Sequence, residues 1–318
     1  MASELLGGID IGGTSIKAGV VQHDGRVLVK THAVIEPTQR TPEQVVGLAC
    51  RLLHDALRQL GKQKSDLRGV GVACPGQLVD GAVISAAANF PEWRDAPIKH
   101  LAQHLLGVEV VMCNDADAAI LAEQWVGSAR GQVTNCIMLT IGTGVGFGAI
   151  VDGRLVRGGT NTIEGGHLIV ERNGRLCGCT QRGCLEAYSS ASALVAEAHE
   201  HLAAGADSKL SLYPMEVIDA KLIFDVAAEG DAMCIRLIEE AADYLGFACV
   251  SLCRILDPEI IVLAGGMAES GERFVNLVRK AYNQYTWTKL PNPVKIEKAS
   301  AGYDSGIIGA AANARNNI

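Results

Sequence analysis

The chain has 318 residues, 48% of them hydrophobic, and a formal net charge of −7 at pH 7. That length exceeds one ordinary domain and predicts two α/β lobes with a cleft between them, while an acidic balance without any Lys/Arg cluster argues against a nucleic-acid partner. The longest apolar stretch, residues 246–264, is broken by Arg254, Asp257, Pro258 and Glu259, which argues against a membrane span; with no charged-then-apolar leader at the start, cytoplasmic residence is expected.

Residues 5–11 are an apolar run entering Gly12-Gly13, and an alternating segment ending at Val20-Val21 returns, which predicts strand, tight turn, strand. His23-Asp24-Gly25-Arg26 is a hairpin turn into a third strand over 27–29. Thr41 is placed to cap a helix, with Pro42 at its first position and Gln44 completing a capping box. Val45, Ala49, Leu52, Leu53, Ala56, Leu57 and Leu60 share one face, and Gly61 ends the run. A buried strand over 70–73 leads to Cys74-Pro75-Gly76, and another over 108–113 leads to Asn114-Asp115 and a helix over 116–126. Polar residues where a strand's carboxyl end enters a helix are where α/β proteins place ligands.

A second copy of the opening pattern lies at mid-chain. Residues 137–141 run into Gly142-Thr143-Gly144, 145–151 return, and Asp152-Gly153 turns into Arg154-Leu155-Val156. The segments IGGTSIKAGVVQHDGRVL and IGTGVGFGAIVDGRLV align almost residue for residue, which predicts a duplicated lobe with one glycine loop in each copy. Glycine loops expose backbone N–H groups that cradle phosphate, although neither is a Walker A or a dinucleotide G-x-G-x-x-G sequence. The bland alternative is a tight turn. What favours phosphate is the pairing of two related loops, each with a threonine (Thr14, Thr143), and Asp10 beside the first as a carboxylate able to hold Mg²⁺ through water.

The densest chemistry lies in EGGHLIVERNGRLCGCTQRGCLE, residues 164–186. His167, Cys177, Cys179 and Cys184 offer one nitrogen and three sulfurs, a complete tetrahedral zinc set with no position left for a reacting ligand, so the zinc would be structural. The other seven of the ten cysteines sit singly in apolar runs and read as small buried hydrophobes rather than a disulfide framework. His199 and His201, on a helical stretch over 191–206, read as a solvated face. At the end of the chain, Asp304-Ser305 followed by 306–314 reads as a capped, small-residue helix.

Across nearly its whole length the chain resembles the sugar kinases of the ROK family, and among them the glucokinases. The resemblance is carried by DIGGTSIKAG, CNDADAA, IGTGVGFG, EGGH, CGCTQRGCLEAY and LAGGMAESG. It implies the actin-like ATPase (ribonuclease H-like) α/β fold, with an N-terminal lobe over 1–120, a larger lobe over 121–303 carrying the zinc loop, and a last helix (304–318) packing back on the first lobe. It implies ATP with Mg²⁺, held by Asp10, Gly12, Gly13, Thr14 and Lys17 in the first phosphate loop and by Gly142, Thr143 and Gly144 in the second. Gly265, Gly266 and Met267 would lie near the adenosine. Asp115 would be the catalytic base, and Asn89, Asn114, Glu164, His167 and Glu186 would bind sugar hydroxyls, with His167 using its other nitrogen for zinc. The expected reaction is ATP-dependent phosphorylation of a hexose, D-glucose to glucose 6-phosphate, by a dimer or tetramer.

Alternatives stay open: an N-acetylmannosamine, N-acetylglucosamine or fructose kinase, or a sugar-sensing protein without catalysis. A family repressor would carry a DNA-binding module ahead of the first phosphate loop, and only nine residues precede Asp10. Two positions depart from the family pattern. Thr180 stands where a glycine usually follows the second cysteine, and Gly165 stands where glucokinases commonly show Ile or Phe, which predicts a looser EGGH turn.

Overall fold

A computed structural model describes residues 5–86, 90–131, 133–159, 163–289 and 294–318, the side chains of 84–86 excepted. Two units each build their own core. One is Met1–Gln132 with Leu155–Ile163 and Ser300–Ile318; the other is Val133–Arg154 with Glu164–Ala299.

The first unit begins with β1 (Leu5–Ile11), β2 (Ser15–Gln22), β3 (Val27–Val34), α1 (Pro42–Gln59) and β4 (Leu67–Ala73). A small antiparallel sheet of β5 (Gln77–Val79), β6 (Ala82–Ala86) and β7 (Phe90–Ala96) follows, then α2 (Ile98–Leu106), β8 (Val110–Cys113) and α3 (Asp115–Trp125). In the main sheet the order is β3-β2-β1-β4-β8, antiparallel from β3 to β1 and parallel from β1 to β8. β3 runs on to Val34, past the three residues expected, because it pairs with the whole length of β2. At α1 the expected capping box is present: Thr41 Oγ1 accepts from the Gln44 amide and Gln44 Oε1 from the Thr41 amide. A cap of this kind is worth about 1 kcal/mol.

The second unit repeats that plan with β9 (Cys136–Ile141), β10 (Val145–Val151), β11 (Arg154–Leu155), β12 (Ile260–Ala264) and β13 (Lys295–Lys298). Its order, β11-β10-β9-β12-β13, has the same connectivity and the same strand directions as the first. The duplication read from the two glycine segments is therefore present as duplicated topology. Among the described residues this unit also holds the α-helices α4 (Glu186–Ser189), α5 (Ala191–Ala203), α6 (Ala220–Ala228), α7 (Ala232–Leu256), α8 (Gly266–Glu269) and α9 (Glu272–Tyr285).

The chain ends in α10 (Ser305–Asn317), which belongs to the first unit. One face of the main sheet packs Ile9, Ile11, Val70 and Val72 against Val45, Ala49, Leu53 and Leu57 of α1. The other face meets α10 almost without side chains between backbones. A Cβ on Gly8 would lie 2.1 Å from the Ile307 carbonyl oxygen, one on Gly71 1.7 Å from that of Ala310, and one on Gly309 1.7 Å from that of Ala118 in α3. Because strand side chains alternate faces, Asp10 shares this face with Gly8. Asp304 does not cap α10 through its side chain; both carboxylate oxygens instead accept from Lys30 Nζ at 2.8 Å.

All ten cysteines are free thiols. Burial pushes the Cys50 thiol up to about 11 and raises Cys74 and Cys249 as well, so these three are inert packing groups. Among the described residues no helix is long and apolar enough to cross a membrane.

The close approach of α10 makes a sharp prediction. Gly71→Ala forces a methyl group into the Ala310 backbone and should lower unfolding free energy by about 3 kcal/mol, measured by urea denaturation.

Candidate active site

In the first unit the chemistry gathers where β1 and β8 end. Gly12 donates to the Ser15 carbonyl at 2.9 Å and closes the first glycine turn, while the Thr14 carbonyl accepts from Ile35 at 2.8 Å. Asp10 stands opposite Lys17 across the β1–β2 pair. Burial raises the Asp10 carboxyl above its ordinary range; Lys17 opposes this and Asp115 adds to it. A Cβ on Gly306 would lie 2.2 Å from Asp10 Oδ2, so the first turn of α10 has room for this carboxylate only because residue 306 is glycine.

After β8, Asn114 is the N-cap of α3, its Oδ1 accepting from the Asp117 amide at 2.6 Å. That leaves Asp115 as the first helical residue instead of the cap. Its Oδ1 accepts from the neighbouring Ala116 amide at 2.9 Å. Asp115 is open to solvent, yet protein crowds the carboxyl closely enough that desolvation raises its pKa, opposed by its own amide and that of Ala116. A helix N-terminus alone would lower it; desolvation outweighs the dipole here.

The second unit holds the other glycine loop. Gly142 donates to the Gly144 carbonyl at 3.0 Å, and the Gly142 carbonyl accepts from Ala191, at the start of α5, at 2.8 Å. Thr143 stands between them, facing a second cavity that also touches Glu186. β12 is followed by Gly265, whose φ of +86° only glycine adopts freely and whose Cβ would lie 2.5 Å from the Ile141 carbonyl oxygen. Beyond it Gly266 and Met267 open α8 and line a cavity of about 570 Å³, walled further by Phe224, Ser270, Arg273 and Phe274. Of these, Phe224, Arg273 and Phe274 carry no motif. Phe224 and Phe274 meet edge to face at 5.8 Å, a pairing between α6 and α9 that no local pattern announces.

The cysteine loop adjoins the second glycine loop through one side chain. Glu186 Oε2 accepts from the Val145 amide at 3.0 Å, and Oε1 lies 3.5 Å from Cys177 Sγ. A Cβ on Gly144 would lie 2.4 Å from Glu186 Oε2, so this glycine is what lets the carboxylate in.

His167, Cys177, Cys179 and Cys184 bring their ligand atoms within 4.8 Å of one another. Cys177 Sγ is 3.7 Å from His167 Nδ1, and Cys179 Sγ 3.6 Å from Cys184 Sγ. A tetrahedral zinc with bonds of about 2.3 Å to sulfur needs edges of about 3.6–3.8 Å, so both the donor set and its spacing fit that ion. His167 offers Nδ1 to the cluster, which leaves Nε2 for another partner.

Three features hold the loop in shape. Gln181 Nε2 donates to the His167 carbonyl at 2.8 Å and to Cys184 Sγ at 3.1 Å, and its own carbonyl accepts from the Cys177 amide at 2.8 Å. The Arg175 guanidinium pairs with Glu197 and stacks on Tyr188, whose hydroxyl accepts from the Arg175 amide at 2.7 Å. Thr180 adopts φ +73°, so the turn that usually employs a glycine is kept, at the cost of strain in a β-branched residue.

Glu164 is exposed and precedes the single 3-10 turn Gly165–His167, its carbonyl accepting from the His167 amide at 3.0 Å. The turn is not loose. A Cβ on Gly165 would lie 2.5 Å from the ring of buried Phe147, so the aromatic bulk comes from β10 instead. Asn89 lies outside the described residues.

The sequence model of the ROK family matches residues 6–317. A glucokinase of Thermotoga maritima is 31% identical over 318 residues, covering 98% of this chain and 97% of its own. Among solved structures, a ROK hexokinase from Thermus thermophilus has a TM-score of 0.84 at 31% identity, with 98% of each chain covered. A ROK family glucokinase from Streptomyces griseus, solved with glucose and AMPPNP, has a TM-score of 0.80 at 32% identity, covering 98% of this chain and 100% of that one.

The strained turn is open to test. Thr180→Gly should release about 1 kcal/mol net, the left-handed penalty of about 1–2 kcal/mol less the entropy glycine loses on folding, and raise the midpoint of thermal unfolding.

Proposed function

The chain belongs to the ROK family, and we propose that it transfers the γ-phosphoryl group of ATP to D-glucose, giving glucose 6-phosphate. It is a sugar kinase of the actin-like ATPase fold; the hexose, the base and the metal are the further steps of this reading. The observation that carries it is the division of labour at α3, where Asn114 caps the helix and Asp115 is spared for chemistry.

Phosphoryl transfer asks little covalent help of a protein. It needs the acceptor hydroxyl aligned, its proton taken late, and the phosphate charge neutralised. Asp115, whose carboxyl desolvation makes more basic than an ordinary carboxylate, suits the role of base, its ionised form accepting the hydroxyl proton. Asn114 Nδ2 is available to a sugar hydroxyl while its Oδ1 holds the cap. Glu164, Glu186 and His167 Nε2 would take further hydroxyls, and Asn89 is retained in the reading from the sequence.

Gly12, Gly13, Thr14 and Lys17 would receive phosphate at the first loop, and Gly142, Thr143 and Gly144 at the second. Adenosine suits the 570 Å³ cavity beside Gly265, Gly266 and Met267, with Phe224 and Phe274 as its apolar walls. Mg²⁺ accompanying ATP would supply charge neutralisation, and Asp10 is the carboxylate placed to hold it through water. His167, Cys177, Cys179 and Cys184 would hold zinc with every position filled by protein, which gives the metal a structural task.

The test is ADP formation from Mg-ATP with glucose, N-acetylmannosamine, N-acetylglucosamine and fructose. Glucose should dominate, and Asp115→Asn should lower kcat by at least about 100-fold. Because the Asp115 carboxyl is raised and its charged form is the base, wild-type kcat/KM should fall on acidification earlier than an ordinary carboxylate would allow. The stability effect has the opposite sign. A raised folded pKa destabilises the fold above that pKa, so Asp115→Asn should melt no lower than wild type at pH 7.5, and any gain should vanish as pH falls below the ordinary carboxylate range. A glucose turnover that survives in Asp115→Asn would remove the base assignment; preference for an N-acetylated sugar would remove the glucose assignment.

A further inference from the structure

Beside the first glycine loop stands an aromatic residue that no motif includes. Tyr303, 76% exposed, lies in the short segment between Ser300 and α10. Lys17 Nζ sits 3.8 Å from its ring centroid, and Lys30 Nζ lies 5.5 Å from it. The next residue, Asp304, is fixed by two contacts of 2.8 Å to Lys30, which stands on β3 opposite Gly19 of β2. Two residues further on, Gly306 packs against Asp10. Residues 303–306 thus touch both members of the Asp10–Lys17 cross-strand pair, one through an aromatic face and the other through a missing side chain.

We propose that Tyr303 is a positioning residue for Lys17, holding its ammonium group at the first glycine loop before the phosphoryl donor arrives; this rests on the reading of that loop as a phosphate site. A lysine has a long stem with many rotamers, and a phosphate contact must order it. An ammonium group already seated on a ring has lost part of that freedom in the free protein, so less is lost when the donor binds. The adjoining Asp304 is tied to Lys30, which restrains the backbone that carries the ring. A core role is excluded by the exposure of the side chain, and the face taken by Lys17 is closed to a stacked base.

The experiment is a double-mutant cycle on the full-length protein with Mg-ATP and glucose, reading kcat/KM for ATP and KM for glucose separately. An exposed contact of this kind predicts that Tyr303→Leu lowers kcat/KM for ATP by about two- to five-fold and leaves the glucose KM and the melting temperature in place. Tyr303→Phe, which keeps the ring, should recover the loss. In a Lys17→Met background, where there is no ammonium group to position, Tyr303→Leu should have no further effect.

An equal loss in the Lys17→Met background, a loss that Phe does not recover, or no loss at all would overturn the proposal while leaving the kinase reading intact. A wild-type protein without ATP-dependent turnover would remove the kinase reading, and this inference with it.

Discussion

One carboxylate joins two loops that lie apart in the sequence. Glu186 accepts from the Val145 amide with one oxygen, at the exit of the second glycine loop, and its other oxygen lies 3.5 Å from Cys177 Sγ of the cysteine loop. Val145 is buried, and leaving its amide unmet would cost the desolvation of a polar group. The geometry admits it only because residue 144 is glycine. The loop proposed for phosphate and the loop proposed for zinc therefore meet at Glu186.

The first unit solves the matching problem with backbone rather than with a metal. Gly8, Gly71, Gly306 and Gly309 let α10 lie against β1, β4 and α3 with almost nothing between. Rigid contact of this sort fixes the ends of β1 and β8, where Asp10 and Asp115 stand. Both carboxyls are pushed up by desolvation, and Asp115 raises Asp10 further. Two carboxylates in such a place favour a nearby cation, which Lys17 supplies in the free protein and Mg²⁺ would supply with ATP.

What was legible in the sequence was local. The two glycine hairpins, the Thr41 capping box and the Cys/His cluster depend on residues a few positions apart, and each is present as read. The sequence placed Asn114 and Asp115 together at the start of α3, but only geometry shows which one caps it. The cavity walls Phe224, Arg273 and Phe274 and the seat Tyr303 were not legible, because each acts across elements whose packing no period or motif encodes; Gln181 lies within a motif, but only the structure shows what it braces. Asp304 looked like a cap and is an ion-pair partner, since Lys30 reaches it from another strand. Gly165 looked like slack and is full, since Phe147 fills its space.

Glu186 makes the coupling of metal and sugar measurable in a single variant. Cys179 is exposed and supports no core, so Cys179→Ser should fold. Zinc content and glucose affinity are measured on the same sample, by elemental analysis and by titration calorimetry. Loss of both together is the predicted result, the cysteine loop releasing Glu186 and His167 as the metal leaves. A zinc-free variant that binds glucose as tightly as the wild type would contradict the account.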